Sequence, residues 1–345
     1  MKCKMVSRNY VAWEVKEAEF PVEGSTENQL EFLLRYAILA PSGPNSQPWK
    51  FSVNTSTISV HADLNRSLPF VDPSNRTLYI SVGCAIANLL TAGEHFGFRY
   101  DLDFFPSGKA NNCVSKVKFF KQRAEPVVDD LFPQMKRRFT VKDKYLEKNI
   151  DGRILQDLRD FIDVPEFYLH FMTDRASKSG ISNLVTKAHR IQLANKDFRR
   201  TLGEWLRNNL TTHPDGMPLY TFGVPDAVSL GFPTAFRKFD LSKAVIYRDL
   251  GLIQGCSGLG ILSSIKDDKL AWVRCGILLE NLFLKATSYD VRLSFFSQPI
   301  GHTGLREDLT SMINKGYPQL LFGLGYSDQK RHTPRRLVED VLIRE

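Results

Sequence analysis

The sequence predicts an α+β fold assembled from two halves. Three observations predict it: long apolar stretches with helical spacing, short strand-like stretches beside them, and one spacing that recurs in two distant helices. Residues 1–26 read as an irregular leader. Across 27–40, Leu30, Leu33, Leu34, Ala37 and Ile38 recur at helical spacing, and Pro41 stops the run. A polar turn leads to strand-like stretches at 49–53 and 58–62. After a turn at 72–76, a long apolar helix is predicted over 77–96. Strands follow at 102–105 and 114–120, and a break at 125–129.

The second half opens on a basic segment, 136–145, followed by a helix at 154–161 and a strand at 167–172. One or two helices cover 177–210. Residues 211–240 are rich in Pro, Gly and Phe without a period, and a stretch this long is usually functional or mobile. Strands are read at 244–247, 259–265 and 319–324, and a helix at 267–287. The expected division is 27–135 for the first half and 136–345 for the second, with a lid-like insertion at 211–240. The recurring spacing is Gly83, then Asn88-Leu89, then Ala92, against Gly276, then Asn281-Leu282, then Ala286. Apolar helices share composition, so chance competes with the alternative, a dimer fused into one chain.

Hydrophobic residues make up 43% of the chain and charged residues 24%, ordinary globular usage that excludes wholesale disorder. The net charge of +8 favours anionic partners. Its basic clusters, 136–138 and 335–336, are short, and no basic surface interleaved with aromatics is readable, so nucleic acid is not expected. Cys3, Cys84, Cys113, Cys256 and Cys275 form no CxxC pair, which argues against a zinc site or a disulfide framework. His95, His189 and His302 stand isolated, so no metal is expected. Residues 1–10 lack the apolar core of a signal peptide, and the apolar stretch 78–93 is too short to span a bilayer. A cytoplasmic protein with no membrane partner is the expectation. The GCSGLG run at 255–260 has the wrong spacing for a dinucleotide fingerprint and reads as the entry to a buried strand. Asp267 and Asp268 read as the cap and first-turn acids of the next helix.

Two short motifs carry chemistry. Residues 40–51 read APSGPNSQPWKF, a proline-stiffened loop able to present backbone N–H groups and the Asn45 and Gln47 amides at one surface. By composition alone it equally suits a helix-to-strand turn. Residues 138–142 read Arg-Phe-Thr-Val-Lys, and an arginine fork suits a phosphate, though basic runs are more often solvated turns.

The string at 40–51 resembles the APSxxNxQPWxF motif of the nitroreductase-like flavoproteins, and the string at 138–142 is similar to that family's R-x-S/T-x-R/K element. The resemblance covers about residues 27–342. It implies a sandwich with a mostly antiparallel sheet flanked by helices, and two pseudo-repeats forming an internal dimer. It also implies a bound FMN, contacted by Ser42 and Asn45 and, as a weaker carry-over, Gln47. Arg138 would hold the phosphate, Thr140 would assist, and Lys142 would lie near flavin N1 and O2. A positive charge there favours the reduced flavin. The stretch 318–326 followed by Thr333-Pro334-Arg335-Arg336-Leu337 resembles the family's last strand and basic tail, where either Arg335 or Arg336 would supply a second phosphate contact. Gly323 departs from the family, standing where many relatives have an arginine.

Each motif occurs once, which implies one FMN per chain at the boundary between the halves. The chain is most similar to the single-chain Acg type, through Asp72 and Arg76 and the Glu204-Trp205 and Asp215-Gly216 pairs. In that type the segment after the tryptophan folds as a lid. The implied activity passes electrons from NADH or NADPH to a nitroaromatic, quinone or similar small molecule, with flavin N5 carrying the chemistry and no catalytic side chain. The alternative is an FMN-holding protein with little turnover, its ring covered by Tyr220, Phe222, Phe232 or Phe236. The expected state is a monomer, with further dimerisation left open.

Overall fold

A computed structural model of the chain describes residues 8–108, 111–121, 131–313, 315–328 and 332–344. The expected break at 125–129 and Cys3 lie outside them. Ser25 caps α1 (Thr26–Ala37), its hydroxyl accepting from the Asn28 amide at 3.2 Å. Strands β1 (Trp49–Asn54) and β2 (Thr57–Ala62) pair as a hairpin before α2 (Arg76–His95). With β3 (Phe98–Phe104) and β4 (Cys113–Lys121) they form an antiparallel sheet in the order β1-β2-β4-β3.

Next come α3 (Gly152–Asp160), β5 (Phe167–Met172), α4 (Arg175–Ala194) and α5 (Lys196–Gly203). Within the expected helical stretch 177–210 lie two helices, separated at Asn195, whose side chain accepts from the Asp197 amide at 2.8 Å to cap the second; beyond Gly203 the stretch is not helical, and Leu206–Arg207 form a strand. A short parallel pair, β6 (Leu206–Arg207) and β7 (Met217–Pro218), precedes α6 (Asp226–Ser229), α7 (Phe232–Lys238) and α8 (Ser242–Gly255). Then come β8 (Gly258–Ser264), α9 (Lys269–Ser288), β9 (Arg292–Phe295), α10 (Thr303–Ile313), β10 (Tyr317–Gly325) and α11 (Val338–Val341). Strands β5-β8-β10-β9 make a second antiparallel sheet. The α+β architecture with antiparallel pairing is present, divided between two four-stranded sheets.

Two expectations are corrected. Residues 244–247 lie inside α8, not in a strand. A four-residue apolar run cannot arbitrate between the two states, and the helix buries Asp249, Leu252 and Ile253 at helical spacing. Residues 211–240 are not irregular throughout: they hold α6 and α7, and Leu219 and Phe236 share a small core with Phe198, Leu206 and Met217.

Helix α2, which leads into the first sheet's β3, packs against α9, which leads into the second sheet's β9. Helix α2 is buried almost all round, as a helix inside a core must be. The crossing falls on the two glycines of the repeated spacing. A Cβ on Gly83 would stand 2.1 Å from the Val273 carbonyl oxygen, and one on Gly276 2.0 Å from that of Ile80. Gly260 in β8 is similarly forced, because Phe322 would lie 2.4 Å from its Cβ.

Two strand-like segments also cross to strands distant in the sequence. Val141 donates its amide to the Leu293 carbonyl at 2.9 Å, setting residues 138–142 along β9. The tail returns to β1, where Ile343 N bonds Phe51 O at 2.7 Å. These two crossings bring both basic elements to the loop at 40–49. Among the described residues, no helix is long and apolar enough to cross a membrane.

Candidate functional site

The loop after α1 is held in an uncommon backbone conformation, with Asn45 at φ 61° and Gln47 at φ 50°. Asparagine tolerates the left-handed region and glutamine does so less well, so both positions rest on tertiary bonds. Asn45 donates to Gly216 O at 2.8 Å and Pro334 O at 3.1 Å, and accepts from Arg335 Nη1 at 2.9 Å. Gln47 donates to Pro214 O at 2.8 Å and accepts from the Arg336 amide at 2.8 Å. The loop therefore ties together the insertion and the tail. Ser42 accepts from Gln47 N at 2.9 Å, closing the turn.

Two adjoining cavities open beside this loop. The smaller, about 50 Å³, is lined by Ser42, Asn45, Arg138, Thr140, Lys142 and Arg335, together with Trp13 and His332. The larger, about 1340 Å³, shares Ser42, Thr140 and Lys142 with it. The structure thus brings six of the eight expected site residues to one wall. Gln47 and Arg336 line neither cavity. Gln47 is spent on the insertion and the tail, and the Arg336 guanidinium donates to Gln47 O at 3.1 Å and to Asp340 O at 2.6 Å. Neighbouring residues in an extended segment point to opposite sides, so Arg335 faces the cavity and Arg336 the scaffold.

The small cavity has an excess of buried positive charge. Arg138 and Arg335 are each 2% exposed, and both donate to the Leu39 carbonyl, at 2.8 and 3.1 Å. The only acid paired with Arg138 among the described residues is Glu280, fully buried on α9, with Oε1 3.1 Å from Arg138 Nε. That contact is not aligned as a hydrogen bond. Arg138 Nε, Arg335 Nε and both Glu280 oxygens have no hydrogen-bond partner among the described residues. Burial pushes the Glu280 carboxyl up to about 7, only partly offset by Arg138 and Arg335. Burial, and then the neighbouring Arg138, pull Arg335 down to about 9. Two guanidiniums against one weakly held carboxylate make a site that an incoming anion would stabilise.

Lys142 stands where the cavities join. Its Nζ lies 2.9 Å from Met217 Sδ and 4.9 Å from the centroid of Phe222, whose ring is also 4.8 Å from the Arg248 guanidinium carbon. Burial, followed by the charge of Arg248, lowers the Lys142 ammonium from 10.5 to about 7. Between those values the folded chain holds fewer protons at this group than the unfolded one. Lys142 therefore contributes stability that grows as pH rises from about 7 towards 10.5, at up to about 1.4 kcal/mol per pH unit, a gain that the buried thiols of Cys84, Cys256 and Cys275 oppose above about 9. Urea midpoints measured across the lower part of that window should show the rise in the native chain and lose most of it in Lys142→Met.

The insertion forms one wall of the larger cavity through Phe222, Phe232 and Phe236. Tyr220 is turned elsewhere, its hydroxyl bonding to that of Tyr10 and to His332 O, the latter at 2.6 Å. Asp215 fastens the start of the insertion through Arg66 and, at 2.7 Å, Arg207.

No family model matches the chain. It is 22% identical over 344 residues to a Mycobacterium tuberculosis (strain ATCC 25618 / H37Rv) protein provisionally named an NAD(P)H nitroreductase, covering 90% of each. It is 23% identical over 346 residues to PigM of Serratia sp. (strain ATCC 39006), also provisionally named an NAD(P)H nitroreductase, covering 93% of this chain and 95% of that one. The chain is thus similar along most of its length to proteins named as NAD(P)H nitroreductases. Among solved structures, a nitroreductase with bound FMN from Desulfitobacterium hafniense DCB-2 matches at 14% identity and a TM-score of 0.41, over 64% of this chain and 100% of that one.

Sequence reasoning missed several residues and pairings. Glu280 was visible as an acid inside an apolar helix, which is seldom buried without a partner. His189 and His95 are not isolated. His189 Nε2 lies 2.7 Å from Asp249 Oδ2 and His95 Nε2 3.1 Å from Glu17 Oε2, pairings sixty and seventy-eight residues apart that no local pattern announces. Asp268 caps α9 as expected, accepting from Ala271 N at 2.9 Å, but Asp267 lies before the helix and pairs with Arg306 at 2.6 Å.

Proposed function

We propose that this chain binds one FMN at the boundary between its halves and passes electrons from NADH or NADPH to a small-molecule acceptor such as a nitroaromatic or a quinone. The observation that carries the reading is the small cavity, where the buried Arg138 and Arg335 converge with side-chain nitrogens left without a partner among the described residues. Such a donor set fits a phosphate, for which charge-assisted bonds from arginine are well suited. Arg138 and Arg335 would hold that group, with the Ser42 and Thr140 hydroxyls beside them. Asn45 orients Arg335 through its 2.9 Å bond, and Gln47 and Arg336 buttress the loop from behind.

Lys142, at the junction with the larger cavity, is placed to face a ring system extending from the phosphate. Bound FMN would supply the two-electron chemistry, and the protein its position and its access. At about 1340 Å³ the larger cavity exceeds the usual range of about 300–1,000 Å³ for one small ligand, which leaves space for a nicotinamide or an acceptor beside the cofactor. The relatives' names, as NAD(P)H nitroreductases, support the same reading.

A second reading is favoured by one observation: the insertion is fastened to the motif loop. Gly216 N bonds Asn45 O at 3.1 Å, and Pro214 O accepts from Gln47 at 2.8 Å. An insertion that never opens would leave a flavin-holding protein. Anaerobic stopped-flow mixing with NADH or NADPH separates the two. Oxidoreductase function predicts rapid bleaching of the yellow flavin band. Colour that persists for minutes with both donors would sink it in favour of storage.

A further inference from the structure

We propose that His189 is the proton donor to the acceptor, presented by Asp249. The inference rests on the oxidoreductase reading and adds a residue to it. His189 on α4 and Asp249 on α8 are both buried, yet both line the larger cavity. His189 Nε2 is engaged with Asp249 Oδ2 at 2.7 Å, which leaves Nδ1 as the nitrogen available to a guest in the cavity.

Asp249 is itself fixed from three sides. Gln298 Nε2 donates to its Oδ2 at 3.2 Å, and Arg248 Nε and Nη2 donate to its Oδ1 at 2.9 and 2.5 Å. Burial alone would raise the Asp249 carboxyl, but Arg248 and the His189 bond outweigh it and hold it below the usual range. An anionic carboxylate on one nitrogen fixes the imidazole's orientation. Arg248 from α8 and Lys142 face this pair, and Asp72, Arg76, Asp267, Arg306 and Glu307 also line the cavity.

A pair serving only to clamp α4 to α8 would need no cavity beside it. Here Leu193, Phe198, Leu202 and Phe236 supply an apolar wall to that cavity, and Arg248 stacks on Phe222. The combination suits a flat apolar ring ending in an oxygen, as in a quinone. Reduction of a quinone to a hydroquinone needs two electrons and two protons. A hydride equivalent, originating from NAD(P)H, carries both electrons and one proton. The second proton comes from His189: the Nδ1–H bond breaks as the O–H bond of the product forms. Neutral His189 then recovers its proton from water.

The test uses two acceptors that differ in proton demand. Ferricyanide takes electrons and no proton, whereas a benzoquinone takes both. In FMN-loaded protein, His189→Asn is expected to lower the ratio of quinone to ferricyanide rates by roughly 100-fold, the lower end of what general acid catalysis contributes. Asp249→Asn should lower the same ratio by roughly tenfold and shift the pH profile of quinone reduction. Equal losses with both acceptors would reveal a structural clamp and overturn the proposal, as would an unchanged ratio. In parallel, ¹⁵N-histidine spectra of the native chain titrated with hydroquinone should move the His189 signals, and signals that stay still would count against contact at Nδ1. Failure of the chain to load FMN would sink the oxidoreductase reading and leave this spectral arm to judge His189.

Discussion

Arg138→Ala should lose FMN and also unfold more easily, for two separable reasons. The first is the phosphate. A buried anion deprived of one charged donor loses roughly 2–4 kcal/mol, which is about 30- to 1,000-fold in affinity. The second is Glu280. With Arg138 gone, that fully buried carboxyl keeps only the partial influence of Arg335. Removing one partner of a buried pair costs about 3–5 kcal/mol because the other charge stays behind. The double variant Arg138→Ala/Glu280→Gln distinguishes the effects. It should regain most of the stability by urea denaturation and still fail to hold flavin in a fluorescence titration. Full flavin retention in the single variant would remove Arg138 from the phosphate.

The other large effect is expected at the helix crossing. Gly276→Val should destabilise the chain by about 3 kcal/mol or more, at or above the upper end of ordinary overpacking. The reason is that its Cβ meets backbone, the Ile80 carbonyl oxygen at 2.0 Å and Gly83 Cα at 2.9 Å, and backbone cannot rotate aside as a side chain can. Gly83→Val should behave alike, since its Cβ is blocked by Val273 O at 2.1 Å. Gly152→Ala is the control. Nothing lies within 4 Å of its Cβ, and the change should be neutral or stabilise by about 0.5 kcal/mol. Urea midpoints of the three variants test this directly, and a mild Gly276→Val would mean that the helices have room to part.

Much of this fold could be read from the sequence because its signals are local. The apolar runs around Leu33 and Ile86 are long enough to fix a helical period, and Pro41 and the turn at 72–76 mark where helices end or begin. The shared spacing of Gly83 and Gly276 was also visible, but composition could not say that the two glycines touch. Residues 244–247 misled because Val and Ile suit strands in isolation, while the buried Asp249, Leu252 and Ile253 that settle the matter lie further on.

The site divides the same way. Ser42, Asn45, Arg138, Thr140 and Lys142 stand in contiguous motifs, and it is the resemblance of those motifs to the nitroreductase-like flavoproteins, not their composition, that singles them out. The choice between Arg335 and Arg336 depends on which side of an extended tail faces the cavity, a property of tertiary placement. Glu280, His189 and Asp249 meet their partners across long stretches of chain, so their roles follow only from the folded arrangement.

The most direct test is the flavin content of purified protein reconstituted with FMN, read from its visible spectrum and from the FMN released on heating. Arg138, Arg335 and Ser42 meeting around one phosphate predicts a single equivalent per chain, lost on Arg138→Ala/Glu280→Gln. A colourless chain after reconstitution, or two equivalents per chain, would contradict it.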